Sequence, residues 1–425
     1  SEDCGAGDPA ALAAAFSTAA DRAGLSAERL AAAKKLNDPI SAAEVRAQLV
    51  ALRGGAAAGL AGLGADLLKG AWKWVDCSDR RRARQNVLEA PLASAFSRAL
   101  QAGYPTAWYE QPLSNIYKVK GSESDPGNFR PIQVQCAIAK LFHKVLHARL
   151  NAFAESQGLR AEGQAALCDK RRTSDHIFVL RHLIDRARLG PAPRRRLFCC
   201  FVDFEKAYDS VPREALLRLL AALGVSAAML ETLVSVYWHV RVRIKQGDSL
   251  SAPFDSTCGV RQGDPLSPLL FGIFLDRVEA FLAERAPGVG THLAHWGKLR
   301  VLLYADDLAL LSDEAAGLQT MLDLLREFAL ANGLRVNDSE TEVVVFGARP
   351  WQRPRDHAPW QYAGAPVTGS KEFKYLGIVL HGTRGVGAAI GRLRAAGLRA
   401  MWGKRRRGAS CARRGCATPA PAFAS

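Results

Sequence analysis

The 425-residue chain carries 57 Lys and Arg against 41 Asp and Glu, a formal net charge of +16. Its residues are 48% hydrophobic, which excludes a disordered chain and leaves room for two or three packed units. The basic excess favours a polyanionic partner, since each neutralised phosphate releases condensed counterions.

No apolar run approaches the ~18 residues of a membrane span, so a membrane partner is excluded at this level. The nine cysteines show no matched C-x2-C pairs, which argues against zinc. Cys199 and Cys200 lie in an apolar run and read as small core residues. Cys411 and Cys416 have no histidines near them. The chain starts with Ser rather than Met and shows no leader, which reads as a fragment or processed chain in a reducing, intracellular setting.

Residues 1–40 are Ala-rich and weakly patterned. Helical runs and Gly-rich breaks alternate over 40–69, and a helix is predicted over 87–101, stopped by Gly103. Short strands are expected at 116–120 and 132–134 around a polar loop, followed by a helix over 137–153. Leu197 to Val202 reads as a buried strand. It leads through Asp203 to Ser210, a helix cap with Pro212 in the first turn, and that helix ends at Gly224. Ser267 and Pro268 open another helix. Residues 299–311 read as two strands with Ala305, Asp306 and Asp307 at the tip. Leu318, Met321, Leu322, Leu325 and Phe328 then mark one buried helix face, stopped at Asn332-Gly333. Strands follow at 343–346 and 373–380. The order implies an α+β sheet with helices on one face.

The acids carry the chemistry. Nucleotidyl transfer needs two divalent cations about 3.5–4 Å apart, held by carboxylates on stiff elements with positions open to substrate oxygens. Asp203 at a strand end and Asp306-Asp307 at a hairpin tip meet that need if their strands are neighbours. Adjacent acids between apolar strands repel one another and are a poor choice without a cation.

Phe201-Val-Asp-Phe-Glu-Lys-Ala-Tyr-Asp209 resembles the first palm motif of reverse transcriptases. Gly259-Val-Arg-Gln-Gly-Asp-Pro-Leu-Ser-Pro268 resembles their second, in the wording of non-LTR (LINE-like) retrotransposons, and Tyr304-Ala-Asp-Asp307 the third. Asn128-Phe-Arg-Pro-Ile132 and Phe373-Lys-Tyr-Leu-Gly377 also match, and Gln164 with Thr173, Asp175 and Ile177 fits a weaker fingers motif. The resemblance spans about residues 40–400. It implies a right-hand polymerase fold with fingers and palm and a largely missing thumb. The implied boundaries are an N-terminal segment at 1–40, fingers and extension at 41–196, palm at 197–382 with a helical insert near 213–250, and a tail at 383–425.

The resemblance further implies that Asp203, Asp306 and Asp307 hold two Mg²⁺ or Mn²⁺ ions. Arg130, Lys118 and Lys120 would meet the triphosphate, a task suited to a forked, permanently charged guanidinium. Tyr208 would lie under the incoming sugar and reject a 2′-hydroxyl. Gln262 and Gly263 would approach the nascent pair, and Arg171, Arg172, Arg261 and Tyr304 the nucleic acid. Implied partners are an RNA template, a DNA primer and dNTPs, and the family implies a nuclear setting. The alternatives are a catalytically inactive RNA-binding relic of the same fold, or a group II intron-type maturase.

Three departures stand out. Asn337-Asp-Ser-Glu-Thr-Glu342 places Glu340 where the family has a lysine thought to assist pyrophosphate release. An ionised carboxylate there repels phosphates. Ala166-Leu167-Cys168 replaces Gly-Phe-Arg, and the early Gly-rich stretch at 57–62 lacks its charged members. Basic runs at 80–82, 170–172, 194–196 and 404–407 are candidate template contacts.

Overall fold

In this computed structural model the structure describes residues 24–387 and 391, apart from 56–58, 61, 77–81, 120, 190–195, 294–296 and 348–359. Lys120, the basic runs at 80–81, 194–195 and 404–407, Cys411, Cys416 and nearly all of the expected thumb start lie outside the described residues.

Helix α1 (Ala27–Lys34) precedes α2 (Ala42–Val50), which opens on a capping box between Ser41 and Glu44. Arg149 fastens this end, pairing with Glu44 and donating to the carbonyls of Leu36, Asp38 and Pro39. After α3 (Ala65–Gly70) come two antiparallel strands, β1 (Trp72–Asp76) and β2 (Arg82–Asn86), which the elements expected from the sequence do not include. Helix α4 (Glu89–Ala102) stops at Gly103 as expected. Strands β3 (Glu110–Tyr117) and β4 (Phe129–Gln133) pair antiparallel, starting earlier than the sequence suggests. They lead to α5 (Ala137–Ser156) and α6 (Thr173–Leu189).

The central strand β5 (Leu197–Val202) is buried at every position. The single turn α7 (Ala207–Ser210) follows, and α8 (Arg213–Ala222) starts only after Pro212, so Ser210 closes one turn rather than capping the next. Beyond α9 (Ala227–Trp238), the insert expected to be helical ends as strand. Strand β6 (Arg241–Gln246) lies parallel to β3 and carries β7 (Ser249–Leu250) and β8 (Phe254–Asp255). Helix α10 (Ser267–Arg285) leads into β9 (Thr291–Leu293), β10 (Gly297–Leu299), β11 (Val301–Tyr304) and β12 (Asp307–Ser312). Helix α11 (Ala315–Ala331) and β13 (Glu342–Phe346) follow. The described chain closes with β14 (Gln361–Tyr362), β15 (Ala365–Pro366), β16 (Thr368–Ser370), β17 (Glu372–Tyr375) and β18 (Ile378–His381).

The main sheet runs β11-β12-β5-β13-β16. Helices do not cover only one face. Phe198, Cys200 and Val202 pack into the core shared with α10 and α11, while Leu197, Cys199 and Phe201 pack against Leu180, Leu183 and Ile184 of α6 and the β17–β18 hairpin. The two-residue period of a strand divides these side chains between two cores, which is why β5 reads as an unbroken apolar run. Cys199 and Cys200 are fully buried, as expected, and burial pushes both thiols up, leaving them unreactive.

A buried polar network fastens the loop before α10. His143 Nδ1 lies 2.8 Å from Asp264 Oδ2, both side chains being fully enclosed. Gln135 Nε2 and the Leu266 N–H also donate to that carboxylate, each at 2.9 Å. Burial alone would raise the Asp264 pKa, but His143 and Arg261 outweigh it and hold the carboxyl at about 2. Its unfolded value is near 3.9, so the stability it contributes is present above about pH 4 and is lost as pH falls toward 2. Replacing Asp264→Ala leaves the buried Arg261 guanidinium without its carboxylate and takes one partner each from His143 and Gln135, and should lower unfolding free energy at pH 7 by roughly 3–5 kcal/mol, read from urea denaturation.

Candidate active site

Strand pairing decides which acids meet. Val202 on β5 faces Leu308 on β12, so Asp203, the next residue, comes opposite Asp307. The β11–β12 turn is only two residues, Ala305 and Asp306, closed by the Tyr304–Asp307 pair. Ala305 sits at φ +55°, unusual for a residue with a side chain. Desolvation raises the Asp307 carboxyl to about 6, helped by the charges of Asp306 and Asp203. All three acids therefore share one electrostatic neighbourhood.

Asp203 is held from the β13 side. Its N–H donates to Thr341 Oγ1 at 3.3 Å, and its carbonyl accepts the Asn337 N–H at 2.8 Å. Asn337 Nδ2 also donates to Asp203 Oδ2 at 3.0 Å. The sequence motif that contains Asn337 and Thr341 gave them no role. Only the backbone path shows both turned onto Asp203. A cleft of 490 Å³ opens beside Asp203 and Asp307, lined also by Glu340, Glu342, Phe373 and Tyr375.

The Tyr208 ring stacks on Phe271 (centroids 5.0 Å apart, planes at 27°). Burial, with a smaller push from Asp306, raises its hydroxyl to about 12, which puts the phenol within the field of the acids. The 259–263 loop lies against it, with the Val260 N–H donating to the Tyr208 carbonyl at 2.7 Å. A Cβ on Gly259 would come within 2.6 Å of Asp209 Cα, so only glycine permits this approach. Gln262 Nε2 donates to Asp209 Oδ2 at 3.2 Å, and the Gln262 carbonyl accepts the Gln133 N–H at 2.9 Å. Gly263, at φ +100°, packs on the Gln133 carbonyl. Gln262 and Gly263 thus join β4 to the turn that follows Asp203.

The other expected residues fall into separate places. Arg130 is exposed on β4, across from Ile116. Exposed Lys118 donates to the Gly127 carbonyl at 3.0 Å. Arg171 donates through Nη1 to the carbonyls of Ala161, Glu162 and Gln164, bracing that segment, and Arg172 is exposed before α6. Tyr304 meets the His176 ring edge-on at 6.1 Å. Arg261 corrects the sequence reading. It is 2% exposed, donates to the Val236 carbonyl and lies 5.0 Å over the Tyr237 ring, so it braces the core instead of facing a nucleic acid. Charge alone in the sequence does not distinguish these two uses of arginine.

Residues 118–380 match the family described as reverse transcriptase (RNA-dependent DNA polymerase). The chain belongs to this family. With the family comes its right-hand polymerase fold, and its members generally use divalent metal ions. Similar proteins include the retrovirus-related Pol polyprotein of the type-1 retrotransposable element R2 from Nasonia vitripennis, 25% identical over 69% of this chain and 28% of that protein. The R2 polyprotein of Popillia japonica is 29% identical over 65% of this chain and 38% of its own. The probable RNA-directed DNA polymerase from transposon BS of Drosophila melanogaster is 26% identical over 68% and 31%. The match thus spans between a quarter and two-fifths of these relatives' lengths. Among solved structures, telomerase from Candida tropicalis with a TWJ fragment of telomeric RNA aligns over 76% of this chain and 52% of its own, at 15% identity and a TM-score of 0.44. Among the described residues no helix of this reverse transcriptase chain is long and apolar enough to cross a membrane.

Behind the hairpin, His176 Nδ1 lies 3.1 Å from the Tyr375 hydroxyl, and the two rings stack at 6.4 Å. Burial pushes His176 down to about 4, against opposing pulls from the Gly163 backbone and Asp175. An unfolded histidine takes its proton near pH 6.5, so between pH 6.5 and 4 the unfolded state binds more protons. Stability should fall as pH drops through that window. Comparing melting temperatures at pH 7 and 5 checks this: His176→Phe should show a smaller acid loss than the wild type.

Proposed function

We propose that this chain is an RNA-directed DNA polymerase that extends a DNA primer on an RNA template with dNTPs. Asp203, Asp306 and Asp307 would hold two divalent cations, Mg²⁺ or Mn²⁺. The observation that carries this reading is the pairing of β5 with β12, which sets Asp203 opposite Asp307 and next to Asp306 beside an open cleft, where burial and then the neighbouring carboxylates lift Asp307 to about 6. The donor set fits the ions, since hard cations take carboxylate oxygens and relieve that repulsion. Among the described residues no group of three or more Asp, Glu, His or Cys side chains is already arranged to hold a metal ion, so the carboxylates alone do not complete a site. An open set suits catalysis, where substrate oxygens complete the coordination.

When bound, such ions lower the pKa of the primer 3′-hydroxyl and neutralise the triphosphate. The protein's own part is positioning. Asn337 and Thr341 fix Asp203, and the Phe271 stack fixes Tyr208 where a ring would meet the sugar and exclude a 2′-hydroxyl. Arg130 and Lys118, with Lys120, would take the triphosphate. Gln262 and Gly263 would back the nascent pair, and Arg171, Arg172 and Tyr304 would contact the nucleic acid. A nuclear site of action follows from the family reading.

Primer extension on an RNA template tests this. Mg²⁺-dependent dNTP incorporation is expected from the wild type, and Asp306→Ala/Asp307→Ala should abolish it. A wild type without incorporation, yet binding RNA in a salt-sensitive manner, would favour the RNA-binding relic. Glu340 on the cleft wall is the observation behind that second reading, since it adds negative charge where phosphates must pass. Accordingly, Glu340→Lys should raise kcat/KM for dNTPs by at least about tenfold, measured under steady-state conditions.

A further inference from the structure

The turn that carries Asp306 and Asp307 sits at the open edge of the main sheet, on strand β11. The two-residue turn holds an alanine at φ +55°, a strained conformation that persists where the surrounding structure supports it. Support reaches it from a segment far away in the sequence. The Leu303 N–H donates to the Gly163 carbonyl at 2.8 Å, and the Ala165 N–H to the Leu303 carbonyl at 2.9 Å, so residues 163–165 lie along β11 like one more short strand.

Between those two bonds, Gln164 points inward and is fully buried. Its Oε1 accepts the Ala305 N–H at 3.2 Å and the Ala166 N–H at 3.0 Å. Its Nε2 donates to Asp276 Oδ1 at 2.9 Å. Two backbone donors on one side and a carboxylate on the other fix which end of the amide is oxygen. Asp276 is itself held, its Oδ2 lying 2.7 Å from Arg160 Nε with both side chains 4% exposed. A buried chain of polar contacts therefore runs from Arg160 through Asp276 and Gln164 to the backbone between Tyr304 and Asp306. Each member is paired on both sides, so the chain has one low-energy arrangement.

We infer that Gln164 is a positioning residue of the polymerase centre, holding the Ala305 N–H and thereby the placement of Asp306 and Asp307. The inference rests on the reading of these acids as metal ligands. Losing the acceptor leaves the Ala305 N–H unpaired in a half-buried turn, and a shift of about 1 Å at reacting groups is worth on the order of 100-fold in rate.

The test compares wild type, Gln164→Leu, Gln164→Glu and the double variant Gln164→Glu/Asp276→Asn. Three quantities are read: Mn²⁺ affinity by EPR on the full chain, hydrogen exchange of the Ala305 amide, and kcat and KM for dNTP incorporation. Gln164→Leu should weaken Mn²⁺ binding about tenfold, speed exchange at Ala305, and lower kcat by roughly 100-fold with KM for dNTP within about twofold. Gln164→Glu alone sets two carboxylates against each other and should behave similarly. The double variant restores acceptor, donor and net charge with the polarity of the pair reversed, and should recover most of the loss. A general packing defect would not be rescued this way. Should Gln164→Leu fail to fold, Gln164→Asn keeps the amide and shortens its reach, with the same expected direction. Wild-type Mn²⁺ affinity and Ala305 exchange in both Gln164→Leu and Gln164→Asn would overturn the inference while leaving the metal site intact. A wild type that binds no Mn²⁺ would overturn the metal reading, and the positioning role with it.

Discussion

Everything at the candidate site depends on the register of one strand. Strand β5 is buried on both faces and paired antiparallel on both edges, with β12 and β13. Its alternating side chains fill two separate cores, so a slip of one residue would exchange every partner at once. That penalty locks the frame in which Asp203 leaves the strand opposite Asp307. The acids need no contact with one another to be brought together. Apolar packing several residues away does it.

Bringing like charges together opposes folding, and the surrounding structure offsets that cost in a particular way. Asn337 and Thr341 grip Asp203 from the β13 side, and Gln164 grips the turn of Asp306 from the edge of the sheet. Each uses neutral hydrogen-bonding groups. A lysine or arginine in either position would neutralise the acids and remove their reason to bind a cation. Local violations of sequence-structure rules, such as an alanine at positive φ and adjacent aspartates, concentrate where the chemistry is proposed to occur.

Much of this could be read in the sequence. The apolar run of β5, the helix face of α11 and the acid-tipped hairpin all carry short-range periodicity, and each lies close to its expected place. The parts that escaped lack such a signal. Strand β6, Arg241–Gln246, alternates charged and apolar residues at the end of a helical insert, and its parallel partner β3 is more than a hundred residues away. Arg171 and Arg261 are alike by type, but Arg261 is buried over a core tyrosine, whereas exposed Arg171 braces three backbone carbonyls through Nη1. Gln164 belongs to a recognisable motif, yet its task is set by Ala305 and Asp276, both over a hundred residues downstream. Periodicity reports local structure. It does not report which buried amide will meet which turn.

The second palm motif shows the same division between what a residue type implies and what its surroundings make of it. Of its polar members, Arg261 and Asp264 are buried in a network with His143, Gln135 and Tyr237, and Gln262 is tied to Asp209. These contacts join β4 and α5 to the start of α10. The strand bearing Arg130 is therefore bonded, through the Gln133 N–H and the Gln262 carbonyl, to the loop that packs on Tyr208. Because that bridge is anchored by the Arg261–Asp264 ion pair, shielded from water, salt does little to loosen it. The backbone of β4 is thus tied to the loop beside Tyr208 by the fold itself.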